Sequence, residues 1–169
     1  MTLDFRLKPE EIFPVAIRAE LDAAALYHGL HGRIKNEVLK QKLDFLAREE
    51  ERHKAILERL FADRLPGKKL EIPAPARGPR KAVAVEETTA VIDLFKLAML
   101  KEKEAEEFYR DSRARMEDAG SKKVLDYLSR VERSHYFMLK SEIDILERFP
   151  EYFDADDFHV GQDLFHVGP

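Results

Sequence analysis

Two tetrads of the form Glu-x-x-His, Glu50–His53 and Glu132–His135, carry the residue types and spacing that could do chemistry in this chain. Residues three apart on a helix project from one face. Each tetrad can therefore bring a carboxylate oxygen and an imidazole nitrogen to one point. A further glutamate stands 30 positions before each tetrad, Glu20 before the first and Glu102 before the second. Leu46 and Leu57 flank the first tetrad at one-turn spacing, and Leu128 and Leu139 flank the second. The ionisable groups thus lie in apolar stripes that should face a core. Glu20 shares such a stripe with Ala16, Ala23 and Tyr27. Buried charges must be paired or must coordinate metal, and four carboxylates gathered in one core repel one another. Two divalent cations would offset both the repulsion and the desolvation. Hard carboxylate oxygens with one imidazole per metal suit iron or manganese.

A lone Glu-x-x-His in a charged helix is ordinary surface charge, and one copy would carry no argument. The second copy changes that. At an offset of 82 the chain aligns with itself without gaps, with 13 identities over positions 16 to 60; chance would give roughly three. Glu20 falls on Glu102, Tyr27 on Tyr109, Glu50 on Glu132 and His53 on His135. Repeated leucines follow from any pair of amphipathic hairpins. Repeated Glu, Tyr and His in register do not. Asp44 and Asp126 also repeat, but half a turn out of phase with the histidines, so they should face solvent. His28 and His31 fit the surface or a bundle end, and Met99, Met116 and Met138 fit a core.

Four helical segments must position these groups. The first is expected from near Pro9 to about Arg33, with Pro14 either in or near its first turn or kinking the helix. The second follows an Asn36 cap and runs to about Arg64, where Pro66 and Gly67 stop it. Thr88 or Thr89 could cap the third, which runs to about Asp118. Gly120 and Ser121 read as a C-cap and an N-cap, and the fourth runs to about Phe149 before Pro150. The predicted fold class is therefore all-α. Hairpins at about 9–64 and 88–149 form one domain, 1–149, joined by a long crossover at 65–87 rich in Pro and Gly. Residues 150–169 form an irregular, acidic, aromatic tail that carries Phe-His-Val-Gly twice.

Composition closes off other classes. The chain has no cysteine, which excludes disulfides, zinc–thiolate sites, iron–sulfur clusters and a thiol nucleophile. A net charge of -4 gives no basic face for nucleic acid. No stretch has the length of a membrane span, and the first residues lack the apolar run of a signal peptide. A cytoplasmic protein without nucleic-acid or membrane partners is expected.

The inventory of one Glu on each of two helices and Glu-x-x-His on each of two others is that of ferritin-like dinuclear carboxylate bundles. The segments AIRAELDAAALYHGL, FLAREEERHKAIL, LAMLKEKEAEEFY and YLSRVERSHYFML resemble the ferritin-like superfamily, nearest its rubrerythrin branch, over about residues 10 to 149. The resemblance implies that Glu20, Glu50, His53, Glu102, Glu132 and His135 ligate two irons, with manganese or a mixed pair as variants, and that Glu50 and Glu132 bridge them. Tyr27 and Tyr109 resemble the family's tyrosines that hydrogen-bond ligand carboxylates and could supply an electron or proton. Core aromatics without a redox role are an equal reading of them.

Two departures bear on activity. Rubrerythrins usually carry a rubredoxin domain with four cysteines, which is absent here, so electrons would come from an external donor such as a rubredoxin. Many also carry a seventh carboxylate near the third-helix ligand. Ala105 stands three positions after Glu102, and Glu106 is a turn away. The expected function is rubrerythrin-type reduction of hydrogen peroxide or dioxygen, in a homodimer. Ferroxidase or iron-handling chemistry on the same site is the near alternative. A non-catalytic interaction protein acting through its tail is the alternative of a different class. For the tail, a strap over its own bundle is as good a reading as a docking signal.

Overall fold

A computed structural model of the chain describes residues 7–75 and 90–153. Its long helices are α1 (Pro9–His31), α2 (Glu37–Arg64), α3 (Val91–Arg115) and α4 (Ala119–Arg148), with a 3-10 turn at Pro150–Phe153. The protein is an all-α, ferritin-like bundle, and no strand occurs among the described residues. No described helix is long and apolar enough to cross a membrane.

Local chemistry sets the helix ends. The Lys8 amide donates to Glu11 Oε2 at 2.8 Å at the start of α1. Pro14 lies inside that helix. The bond it cannot donate would have gone to exposed Glu10, whose carbonyl water can reach. Asn36 caps α2, its side chain accepting from the Leu39 amide at 3.0 Å. The second hairpin differs from the sequence expectation. α3 ends at Arg115 rather than about Asp118, Gly120 does not terminate it, and Ser121 lies inside α4. Asp118 is the cap, accepting from the Ser121 amide at 2.7 Å. A carboxylate at a helix N-terminus also meets the positive end of the helix dipole, and Arg64 holds it at 2.8 Å. The Arg64 guanidinium lies over Gly120, so a side chain there would push the tip of Arg64 aside. α1 likewise stops at His31, two residues short of Arg33. Thr88, Thr89, most of the crossover and the tail from 154 onward lie outside the described residues.

Side-chain pairs fix the helix directions. Tyr27 on α1 reaches Glu102 on α3, and Tyr109 on α3 reaches Glu20 on α1, so α1 and α3 are antiparallel. α2 and α4 are antiparallel by the same test, since His53 meets Glu132 and His135 meets Glu50. α2 ends beside the start of α4 through Arg64–Asp118, whereas α3 begins beside the end of α4 through Lys96–Glu147 at 2.8 Å. The end of α2 and the start of α3 therefore lie at opposite ends of the bundle, separated by about 37 Å, the length of the 25 residues of α3.

The core is divided. One apolar cluster joins Leu30, Leu39, Leu43, Leu46, Leu94 and Phe95 with Leu139 and Leu146. The other joins Ile12, Phe13, Ala16, Leu57 and Phe61 with Phe108, Leu125 and Leu128. The offset of 82 exchanges them: Ile12 and Phe13 in one correspond to Leu94 and Phe95 in the other, and Leu43 and Leu46 to Leu125 and Leu128. Between these two apolar plugs lies a layer of carboxylates and imidazoles.

Candidate metal centre

All six residues singled out by the repeat converge in this layer, each helix supplying its share at mid-length. Glu20, Glu50, His53, Glu102, Glu132 and His135 are each at most 2% exposed. Helix register accounts for the convergence. Glu50 and His53 share the α2 stripe with Leu46 and Leu57, all buried, and α4 repeats this with Leu128, Glu132, His135 and Leu139.

The distances separate two kinds of carboxylate. Glu50 reaches both rings, Oε2 lying 3.2 Å from His53 Nδ1 and Oε1 lying 3.1 Å from His135 Nδ1. Glu132 does the same, with Oε1 at 2.9 Å from His53 and Oε2 at 3.5 Å from His135. Glu20 reaches only His53, at 3.5 Å, and Glu102 only His135, at 3.6 Å. Two ligand groups result: Glu20, Glu50, His53 and Glu132, and then Glu50, Glu102, Glu132 and His135, the atoms of each within 4.8 Å of one another. Glu50 and Glu132 belong to both. The two imidazoles stack with centroids 5.7 Å apart and planes 18° from parallel. The edge of the Phe45 ring meets His135 at 6.4 Å.

Burial and mutual repulsion perturb every ionisable group of this layer. Burial raises the Glu20 and Glu102 carboxyls well above the usual range, and the neighbouring charges of Glu50 and Glu132 push the same way. Burial would also raise Glu50 and Glu132, but the imidazoles that face them hold both below it. Burial would lower the histidines. Hydrogen bonds to three carboxylates each outweigh it, raising His53 strongly and pushing His135 up to about 12. Even so, Glu50 Oε1, Glu132 Oε1 and His135 Nδ1 are buried without a well-aligned hydrogen bond. Short distances without alignment gather these atoms around two common points rather than into matched pairs. Buried polar atoms left in this way are costly, and a cation at each point would satisfy them. The donor set, hard oxygens plus one imidazole per group, fits first-row divalent metals.

The tyrosines cross between the hairpins. The Tyr27 hydroxyl donates to Glu102 Oε1, and the Tyr109 hydroxyl to Glu20 Oε1. Burial, and then the carboxylates beside them, raise both phenols well above their ordinary value. The sequence placed Tyr27 on the face of Glu20, and its partner on the opposite hairpin was not readable there. Glu106 is elsewhere: it lines a half-buried depression on the outside of α3 and α4. Ala23 and Ala105 are partly buried and pack on the apolar plugs. Asp44 and Asp126 are half-exposed, and each pairs with its repeat-related neighbour, Asp44 with His31 at 3.6 Å and Asp126 with Arg113 at 3.6 Å. The non-identical pair His31/Arg113 thus keeps one contact in both halves. Sequence reading also missed Glu142, 4% exposed and ion-paired to Lys42 across the α2–α4 seam. Its repeat partner is Leu60, so only burial reveals it.

Comparison with known proteins adds to this geometry. The Rubrerythrin family model matches residues 11–143. Among solved structures, the chain is similar to a hypothetical protein from Pyrococcus furiosus, at 34% identity and a TM-score of 0.73, covering 85% of this chain and 92% of that one. No curated protein gives a significant match.

Proposed function

We propose, from the premise that this chain belongs to the rubrerythrin family, that it is a di-iron oxidoreductase that reduces hydrogen peroxide with electrons from a separate donor. The observation that carries this reading is the pair of overlapping ligand groups sharing Glu50 and Glu132. The reaction consumes one peroxide, two electrons and two protons and yields two waters. Bound irons would supply the electrons and an open coordination position.

The chain's own residues do the rest. Glu50 and Glu132 each present two oxygens to both ligand groups, so they would hold both metals. Glu20 and Glu102 would each hold one, and the crossed tyrosine bonds orient these two carboxylates. Tyr27 and Tyr109 keep a proton on their hydroxyls one hydrogen bond from a ligand carboxylate, a suitable source for the oxygen that leaves. The apolar plugs above and below exclude water, and a layer this enclosed admits only a small oxidant such as peroxide or dioxygen. Leu57, Leu128, Leu46 and Leu139 form the inner walls of those plugs.

The test is metal content after anaerobic loading with ferrous iron and desalting, followed by the absorption spectrum on adding peroxide. One iron for each of the two ligand groups, with an oxo-bridged band and peroxide turnover driven by dithionite, is the expected result. Glu50→Gln with Glu132→Gln should lose both iron and turnover while keeping the helical spectrum. Retention of less than one iron by the folded wild-type chain would sink the reading.

A further inference from the structure

The internal repeat makes each half of this protein a control for the other. Around the buried layer the halves match residue for residue, yet on their outer faces they do not. A depression of about 290 Å³ between α3 and α4 is lined by Lys103, Glu106, Arg110, Arg133, Tyr136 and Phe137. The repeat-related positions on α1 and α2 are Leu21, Ala24, His28, Glu51, Lys54 and Ala55. Three cations, one carboxylate and two carbocyclic aromatic rings on one side correspond to a mixed set with one cation, one carboxylate and one imidazole on the other. Cations outnumber carboxylates there: Glu106 lines the depression and Asp111 pairs with Arg110 at 3.7 Å, while among the described residues neither Lys103 nor Arg133 has an ion pair. Arg133 lies over the Phe137 ring at 5.9 Å, and the Tyr136 and Phe137 rings meet edge to face at 5.3 Å. Phe137 is 54% exposed, which leaves an apolar contact open at the rim of a basic patch on a chain of net charge -4.

The patch is also placed for electron delivery. Lys103, Arg133 and Tyr136 directly follow Glu102, Glu132 and His135 in sequence. Its floor is therefore the outer side of the same helix turns that carry three of the six candidate ligands. Apart from such turns, the layer is sealed by the apolar plugs. The chain has no cysteine and so no thiolate-bound redox centre of its own, and two electrons per peroxide must arrive from outside.

We propose that the depression lined by Lys103, Arg110, Arg133, Tyr136 and Phe137 is the docking surface for a small acidic one-electron carrier protein that reduces the buried centre. This rests on the peroxide-reduction reading for its purpose, though not for its geometry. Two successive encounters deliver the two electrons that one peroxide consumes, together with two protons from solvent. A small exposed aromatic contact ringed by charge suits a weak, fast-exchanging complex of the kind electron carriers form. Opposite charges on the carrier would speed encounter more than they would tighten the complex.

The test uses the iron-loaded full chain and a purified acidic rubredoxin as probe. Calorimetric binding of oxidised rubredoxin and stopped-flow oxidation of reduced rubredoxin are each measured at low and high salt. Lys103→Glu with Arg133→Glu should weaken binding and slow the second-order reaction about ten-fold or more at low salt. Dithionite-driven turnover should stay within about two-fold. The milder Lys103→Gln with Arg133→Gln should fall between, which keeps the test meaningful if the reversal disturbs folding. Arg59→Glu with Lys69→Glu matches the charge change on another face and should have little effect. Salt-sensitive binding that only the Lys103 and Arg133 variants abolish supports the docking surface even if wild-type turnover with dithionite fails, an outcome that would remove the peroxide reading alone. No salt-sensitive binding to wild type, or equal loss in the charge-matched control, overturns the proposal. So does a dimer that Lys103→Glu with Arg133→Glu splits into monomers, which would make this face a contact between copies.

Discussion

Loading metal into this layer should expel protons, and their number follows from the electrostatics. In the metal-free protein near neutral pH, His53 and His135 are imidazolium, because surrounding carboxylates outweigh burial and raise both, His135 to about 12. Burial, and then the charges of Glu50 and Glu132, raise Glu20 and Glu102, which favours their protonated forms. Glu50 and Glu132 are lowered and ionised. With Glu20 and Glu102 protonated the layer is neutral, two imidazoliums against two carboxylates. Two divalent cations bind neutral imidazoles and ionised carboxylates, and the loaded layer is neutral again. The two histidine protons should leave per chain, and the upward shift of Glu20 and Glu102 adds up to two more. Calorimetric titration of anaerobic ferrous or manganous ion at pH 7, in buffers of differing ionisation heat, gives this number as a slope. Affinity should also rise with pH and fall on acidification. Release of about two protons would show that Glu20 and Glu102 are already ionised. Release near zero would refute the reasoning altogether, since ligands without protons to lose are not in this environment. The sign for stability runs opposite to that for loading. A histidine raised from about 6.5 stabilises the metal-free fold fully below that pH. That contribution is lost as pH climbs towards about 12, the value for His135.

Other consequences are more local. Tyr27→Phe or Tyr109→Phe removes the hydroxyl that donates to Glu102 or Glu20, and each should cost the metal-free protein about 1–3 kcal/mol in chemical denaturation. Equal losses for the two would reflect the repeat. Asn36→Ala should destabilise more than Asp118→Ala, roughly 2 against 1 kcal/mol, because Asn36 also donates to the Tyr152 carbonyl at 2.9 Å; the reverse order in thermal melts would contradict the cap assignment. Leu57→Ala and Leu139→Ala each open a cavity in a different plug and should each cost about 2–5 kcal/mol. Iron stoichiometry should survive both where the chain stays folded.

The sequence carried the bundle and the membership of the buried layer, because ionisable residues in an apolar stripe are rare enough to count and the offset of 82 counts them twice. The boundary between α3 and α4 was not legible in the same way. Gly120 and Ser121 are the stronger textual signals for a helix break, whereas Asp118 wins through Arg64, which arrives from the end of α2. The repeat contained the answer, since Asp118 falls on Asn36, and both cap a helix through the amide three residues on. Glu142 was illegible for a different reason. A glutamate late in a charged helix reads as solvated, and only the approach of Lys42 from α2 makes its burial tolerable. The crossed tyrosine bonds likewise depend on how the two hairpins are set against each other, which helix periodicity does not encode.

The overlap of the ligand groups has a consequence for how the protein can be divided. Each group draws carboxylates from both hairpins: the first needs Glu132, and the second needs Glu50. Neither hairpin completes a metal-binding set alone, and each tyrosine bond also ends on the other half. A single hairpin is therefore a half-site with a self-complementary edge. Two copies of the first, paired about the axis that runs between His53 and His135, would regenerate every ligand and both tyrosine bonds. Covalent continuity between the halves is dispensable to the chemistry of the layer, and what it secures is that two unlike outer faces always come together around one shared interior.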